Sequence, residues 1–77
     1  MVYKVSLYYA GKIYKENKFN KGFAGTQDCY IEEDSIASAI DKADKLAYKI
    51  IKGFNRSDFT ETRVVSIAEA SDYLPIY

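Results

Sequence analysis

The chain has 77 residues, of which 48% are apolar and 29% charged, and its 11 basic and 11 acidic side chains cancel. This length fits one domain with a single small core, and zero net charge gives no general attraction to nucleic acid or to a membrane surface. Eight tyrosines and no histidine favour contact over catalysis, because histidine is the side chain that most readily moves protons near neutral pH.

Cysteine content bears on both compartment and chemistry. Cys29 is the only cysteine, so the chain has no internal disulfide, and we predict a reducing, cytoplasmic location. No stretch approaches the roughly 20 apolar residues needed to cross a bilayer. Without histidine, a cysteine–histidine nucleophile and a cysteine–histidine zinc site are both excluded. We therefore predict no catalytic residue, no cofactor and no metal site, and we place Cys29 in the core.

The first half of the chain alternates apolar and polar residues with a period of two, which is typical of strands. The first strand covers residues 2–9, with a tight turn predicted at Ala10–Lys12. Ile13–Lys18 either returns as a second strand or extends one long hairpin. The alternation fails over Asn17–Gly25, which indicates a loop, and Thr26–Glu32 is the next strand.

A helix is the clearest local pattern, and we predict it over Ser35–Lys52. Asp34 is placed as its N-cap, and Gly53 supplies a left-handed C-terminal cap. The apolar residues recur at the spacing of one helical stripe: Ile36, Ala39, Ile40, Ala43, Leu46, Ala47, Ile50 and Phe54.

The last strand is predicted over Thr62–Ala70, with Val65 and Ile67 facing the core and Val64 facing away. The element order is β-β-β-α-β, or β-β-α-β if Ile13–Lys18 belongs to a long hairpin. This order predicts an α+β domain over residues 1–77. Its small antiparallel-rich sheet has three or four strands, and one long amphipathic helix packs on one face.

The start of the helix runs Asp34-Ser35-Ile36-Ala37-Ser38-Ala39-Ile40. Together with the element order, it resembles the small antitoxins of the HicB type. No functional residue is carried over from that family.

Two aromatic surfaces remain after the helix has covered one face of the sheet. Strict alternation sends Tyr8, Tyr14, Tyr30 and Val64 to the open face, either as stabilising cross-strand pairs or as a contact surface. The tail, residues 71–77, is unusually apolar and either folds back over the domain or reaches a second copy or a partner. Its candidate interface residues are Tyr73, Leu74, Ile76 and Tyr77.

A lysine-rich segment offers a second kind of site. Lys12, Lys15, Lys18 and Lys21 alternate with aromatic residues, namely Tyr14, Phe19 and Phe23. Lysines beside aromatic rings can hold phosphates and stack bases, but a solvated, lysine-rich strand edge is the interpretation that the sequence favours.

These patterns favour a non-catalytic, protein-binding module that acts as a homodimer. A phage- or mobile-element-type accessory protein that inhibits a host protein is one concrete form. The alternative is a nucleic-acid or nucleotide-binding protein that uses the lysine and aromatic segment.

Overall fold

The computed structural model describes the whole chain and contains three strands and one long helix, which confirms the predicted α+β class. The strands are β1 (Val2–Lys15), β2 (Lys18–Glu32) and β3 (Phe59–Glu69). The helix α1 (Ile36–Ile50) follows β2, and a short 3-10 turn (Arg56–Asp58) leads into β3. The order is therefore β-β-α-β, the second of the two orders predicted.

β1 and β2 form one long antiparallel hairpin, closed by a two-residue turn at Glu16 and Asn17. Both turn residues have positive φ, 53° and 64°, as a type I′ turn requires. Neither residue is glycine, so the sequence lacks the usual signal of such a turn.

The turn predicted at Ala10–Lys12 is wrong, because β1 continues without a break through Gly11. The loop predicted over Asn17–Gly25 is wrong as well, since all but its first residue belong to β2. Gly11 lies opposite Phe23, and the phenylalanine ring covers it. The glycine therefore permits close packing inside a strand and does not mark a bend.

β1 is the central strand, and the sheet order is β2-β1-β3 with both pairs antiparallel. Ser6 pairs with Ser66 and Leu7 with Val64, which leaves Val65 as the extra residue of a β-bulge. The inserted residue changes the alternation, so Val64 packs against the core while Val65 is 46% exposed. The predicted facing of these two valines is wrong for this reason.

Helix α1 packs on one face of the sheet through its small side chains. Ala39, Ala43 and Ala47 are fully buried, and this lets the helix lie close to the buried strand residues. Those strand residues include the predicted core members Val5, Leu7, Cys29 and Ile31, together with Tyr3. Mutual burial of these apolar surfaces is the main source of stability for a domain of this size.

The helix caps differ in detail from the prediction. Ser35, not Asp34, is the N-cap, and its hydroxyl oxygen accepts a hydrogen bond of 3.1 Å from the backbone N–H of Ser38. The C-cap is Ile51, and Gly53 has a positive φ of 94° two residues later.

The hairpin projects beyond the rest of the molecule. β3 pairs with β1 only from Tyr3 to Gly11, so the residues of β1 and β2 beyond that point have no third strand beside them. The molecule is accordingly elongated, with extents of 45 × 19 × 16 Å. This shape separates the free end of the hairpin from the surface formed by the tail.

Candidate binding surfaces

The tyrosines predicted to share the open face of the sheet are not brought together into one cluster. Tyr8 pairs with Thr26, Tyr30 pairs with Lys4, and Tyr14 lies near the end of the hairpin. Six residues of strand separate Tyr8 from Tyr14, which corresponds to about 20 Å. The ring of Tyr8 is half-buried under Arg63, whose guanidinium carbon lies 5.0 Å from the ring centroid. The open face therefore offers separate aromatic sites.

The tail folds back onto the chain and pairs with the free edge of β2. The backbone N–H groups of Ile76 and Tyr77 donate to the carbonyl oxygen of Tyr30, at 3.0 and 3.3 Å. The N–H of Glu32 donates to the carbonyl oxygen of Tyr77 at 2.9 Å. Of the two placements left open by the sequence, packing onto its own domain is the one observed.

Side chains of the tail divide into anchors and exposed residues. Tyr77 packs against the core, and Tyr73 stacks on Tyr30 with ring centroids 4.6 Å apart and planes 17° from parallel. Leu74 and Ile76 are instead 89% and 73% exposed. We call Tyr30, Tyr73, Leu74 and Ile76 the tail patch. It is an apolar surface on a backbone held by hydrogen bonds.

All four predicted lysines lie at the free end of the hairpin, where the register places Lys15, Lys18 and Lys21 on one face and Lys12 on the other. Lys15 pairs directly with Lys18 beside the turn, Lys12 lies opposite Gly22, and Lys21 lies opposite Ile13. None of the four forms an ion pair. We call residues 12–21 the hairpin tip.

Two aromatic rings accompany these lysines. Tyr14 and Phe19 are cross-strand partners whose centroids are 6.1 Å apart, with the planes at 73°. Both are largely in solvent, at 57% and 60% exposure. The hairpin tip therefore carries two accessible aromatic rings with Lys12 on one face and three unpaired lysines on the other face of the same two-stranded ribbon.

Phe23, by contrast, does not belong to this lysine and aromatic surface. Its ring stacks on Phe54 with centroids 3.9 Å apart and planes 6° from parallel. Tyr9 and Phe59 contact the same two rings, so these four residues form an aromatic cluster beyond the last turn of α1. Sequence reasoning missed this cluster, because Phe59 lies before the last strand predicted, Thr62–Ala70.

The remaining reactive groups are occupied or shielded. Cys29 is only 3% exposed, and burial, with a smaller contribution from the charge of Asp28, raises the pKa of its thiol to about 11. A thiol of this kind is protonated and inert at neutral pH. Asp28 accepts a hydrogen bond of 2.6 Å from Ser6 and pairs with Lys4 at 3.6 Å.

A shallow depression lies along α1. It is lined by Glu33, Ser38, Asp41, Lys42, Lys45 and Leu46. Two ion pairs already join its charges, Lys42 to Glu33 at 3.5 Å and Lys45 to Asp41 at 2.8 Å. The depression therefore has neither free lysine charge nor an extended apolar lining.

The chain shows no metal-binding cluster, no membrane-spanning helix and no match to a known protein. No group of three or more cysteine, aspartate or glutamate side chains is arranged to hold a metal ion. No helix has the length and apolar character needed to cross a membrane. No protein-family model, curated protein or solved structure matches the chain, so the resemblance to HicB-type antitoxins has no support from these comparisons.

Proposed function

We propose that this protein is a non-catalytic binding module that recognises another protein through the tail patch. The observation that carries the proposal is the exposure of Leu74 and Ile76 on a tail whose backbone is fixed to β2. Apolar side chains in a frayed segment would cost entropy to order on binding. Here the hydrogen bonds to Tyr30 and Glu32 order them beforehand, which favours affinity.

The tail patch supplies a reasonable driving force for association. Burying one leucine or isoleucine side chain stabilises a complex by about 1.5–3 kcal/mol relative to leaving it exposed. Leu74 and Ile76 together thus contribute about 3–6 kcal/mol before the cost of association is subtracted. The stacked rings of Tyr30 and Tyr73 lie beside them and add amphipathic contact area of the kind enriched at interfaces.

A homodimer remains part of the proposal. In a two-fold dimer the tail patch of one copy packs against the tail patch of the other, so one symmetric contact covers Leu74 and Ile76 of both copies. Inhibition of a host protein is this same function with an enzyme as the bound partner. The cytoplasmic location and the phage or mobile-element origin remain predictions from the sequence.

The test compares two double variants of the full chain. Leu74→Ser with Ile76→Ser removes the exposed apolar atoms of the tail patch and leaves its backbone bonds in place. Ile36→Ser with Val65→Ser is the matched control, because it changes two partly exposed aliphatic residues elsewhere. Circular dichroism first verifies that both variants keep the fold.

Sedimentation equilibrium over a wide concentration range then measures self-association, and affinity capture from the native host measures partner binding. We expect the tail variant to lose both interactions and the control to keep them. The proposal is contradicted if the wild-type chain stays monomeric and captures no protein whose binding is lost in the tail variant.

A further inference from the structure

The hairpin tip concentrates positive charge that the fold leaves without partners. Four lysines and one glutamate give residues 12–21 a net charge of +3, and the rest of the chain, with a total of zero, carries −3. None of the four lysines is within ion-pair distance of a carboxylate. The molecule is therefore electrically polarised along its 45 Å axis.

The stability of the fold does not account for this arrangement. Lys15 and Lys18 lie directly opposite each other, and like charges in that position destabilise a strand pair. Glu16 adopts a φ of 53°, which is unfavourable for a residue other than glycine or asparagine. Lysine does protect strand edges from pairing, but that role requires no exposed aromatic rings beside it.

Tyr14 and Phe19 specify the kind of anion that fits. Their rings are mostly in solvent, and because they meet edge to face, ring surface is left free for a planar group to stack on. Unpaired bases provide such planar groups, and the adjoining phosphates pair with lysines on the same ribbon. A duplex fits the rings less well because its bases are already stacked on one another. An acidic protein surface fits less well because it offers negative charge without planar bases.

We propose that the hairpin tip binds single-stranded nucleic acid. Tyr14 and Phe19 stack on bases and Lys12 contacts a phosphate on the same face of the ribbon. Lys15, Lys18 and Lys21 contact phosphates where the bound strand passes over the end of the ribbon to its other face. This site lies at the opposite end of the molecule from the tail patch and does not depend on protein binding there.

Fluorescence anisotropy with a labelled oligothymidylate tests the proposal on the full chain. Contact with four phosphates predicts a salt slope of about −2.8, so the affinity falls about 50-fold between about 50 and 200 mM salt. Lys15→Gln, Lys18→Gln and Lys21→Gln together leave one such contact, and the fall over the same interval shrinks to about threefold. The matched control is Lys45→Gln, Lys49→Gln and Lys52→Gln, which removes the same charge from α1 and the segment just after it and keeps the wild-type slope.

The aromatic contribution is measured separately from charge. Tyr14→Leu and Phe19→Leu keep an apolar side chain but remove the ring, and each lowers the affinity about fivefold or more if bases stack there. Circular dichroism verifies that each variant is folded. An oligouridylate in place of the oligothymidylate distinguishes RNA from DNA, and tight binding of either supports the site.

Three results overturn the proposal. The first is no binding of either oligonucleotide at low salt. The second is an equal loss in the two lysine triple variants, which places the effect in overall charge and not in the hairpin tip. The third is binding of a polyglutamate peptide or a duplex as tight as that of the single strand, which assigns the tip to an acidic protein or to general polyanion attraction.

Discussion

Gly11 lies in the middle of β1, buried between the ring of Phe23 and the backbone of Asp58. A methyl group added at this position meets the carbonyl oxygen of Asp58 and two ring atoms of Phe23 closer than side-chain carbons normally approach. The ring is stacked on Phe54, so moving it disturbs that contact as well. Gly11→Ala therefore displaces either backbone or the aromatic cluster.

The expected cost follows from these contacts. Overpacking a tight site destabilises a protein by about 1–3 kcal/mol, and an obstacle that is partly backbone places Gly11→Ala near the upper value. Replacing glycine with alanine also lowers the conformational entropy of the unfolded chain, which stabilises the folded protein by about 0.4–1 kcal/mol. The net loss is about 2 kcal/mol, out of a total stability of about 4–12 kcal/mol for a chain of this length. The midpoint of thermal unfolding should fall by about 8–16 °C.

Gly22→Ala is the matched control in the same hairpin. Its added methyl group lies 3.7 Å from the nearest atom, an ordinary contact, and the residue does not have positive φ. We expect it to stabilise the protein by about 0.4–1 kcal/mol. Urea denaturation followed by far-ultraviolet circular dichroism measures both variants, since the chain has no tryptophan. The close packing around Gly11 is refuted if Gly11→Ala is as stable as wild type, or if Gly22→Ala loses as much free energy of unfolding as Gly11→Ala.

Two further predictions concern the turn and the buried thiol. Glu16→Asn with Asn17→Gly installs the residues that a type I′ turn prefers and should raise the free energy of unfolding by about 1 kcal/mol. Thr26→Gly, at a regularly paired position of β2 opposite Tyr8, should lower it. The pKa of Cys29 is raised from 9.0 to about 11 in the folded protein, so the fold favours the neutral thiol. The stability that the neutral thiol contributes is therefore present below pH 9 and is lost as the pH rises toward 11. Between pH 8 and pH 10 wild type should lose about 1 kcal/mol more than Cys29→Ala in urea denaturation, and equal losses would contradict this.

The sequence predicted those parts of the protein in which one local pattern continues. The apolar stripe of α1 and the alternation of Tyr3, Val5 and Leu7 gave the helix, the first strand and the core face. They did so because burial of one face imposes its own period on the chain. The grouping of the four lysines was also visible in the sequence, although neither their place at the end of a projecting hairpin nor their division between its two faces was.

Tertiary structure decided the features that depend on distant partners. The bulge at Val65 exchanged the facing of two valines, and it is defined only by the register with β1. Phe23 left the lysine surface because Phe54 and Phe59, far along the chain, stack against it. The sequence left two placements open for the tail, and its hydrogen bonds to Tyr30 decide between them.

Composition and periodicity alone thus determined that the chain folds as a small α+β domain with more aromatic side chains than its core can hold. Only the folded structure decided which rings complete the core and which stay in solvent. The physical reason is that a tyrosine or phenylalanine is stable in either environment, and the choice depends on whether another part of the chain comes close enough to cover it.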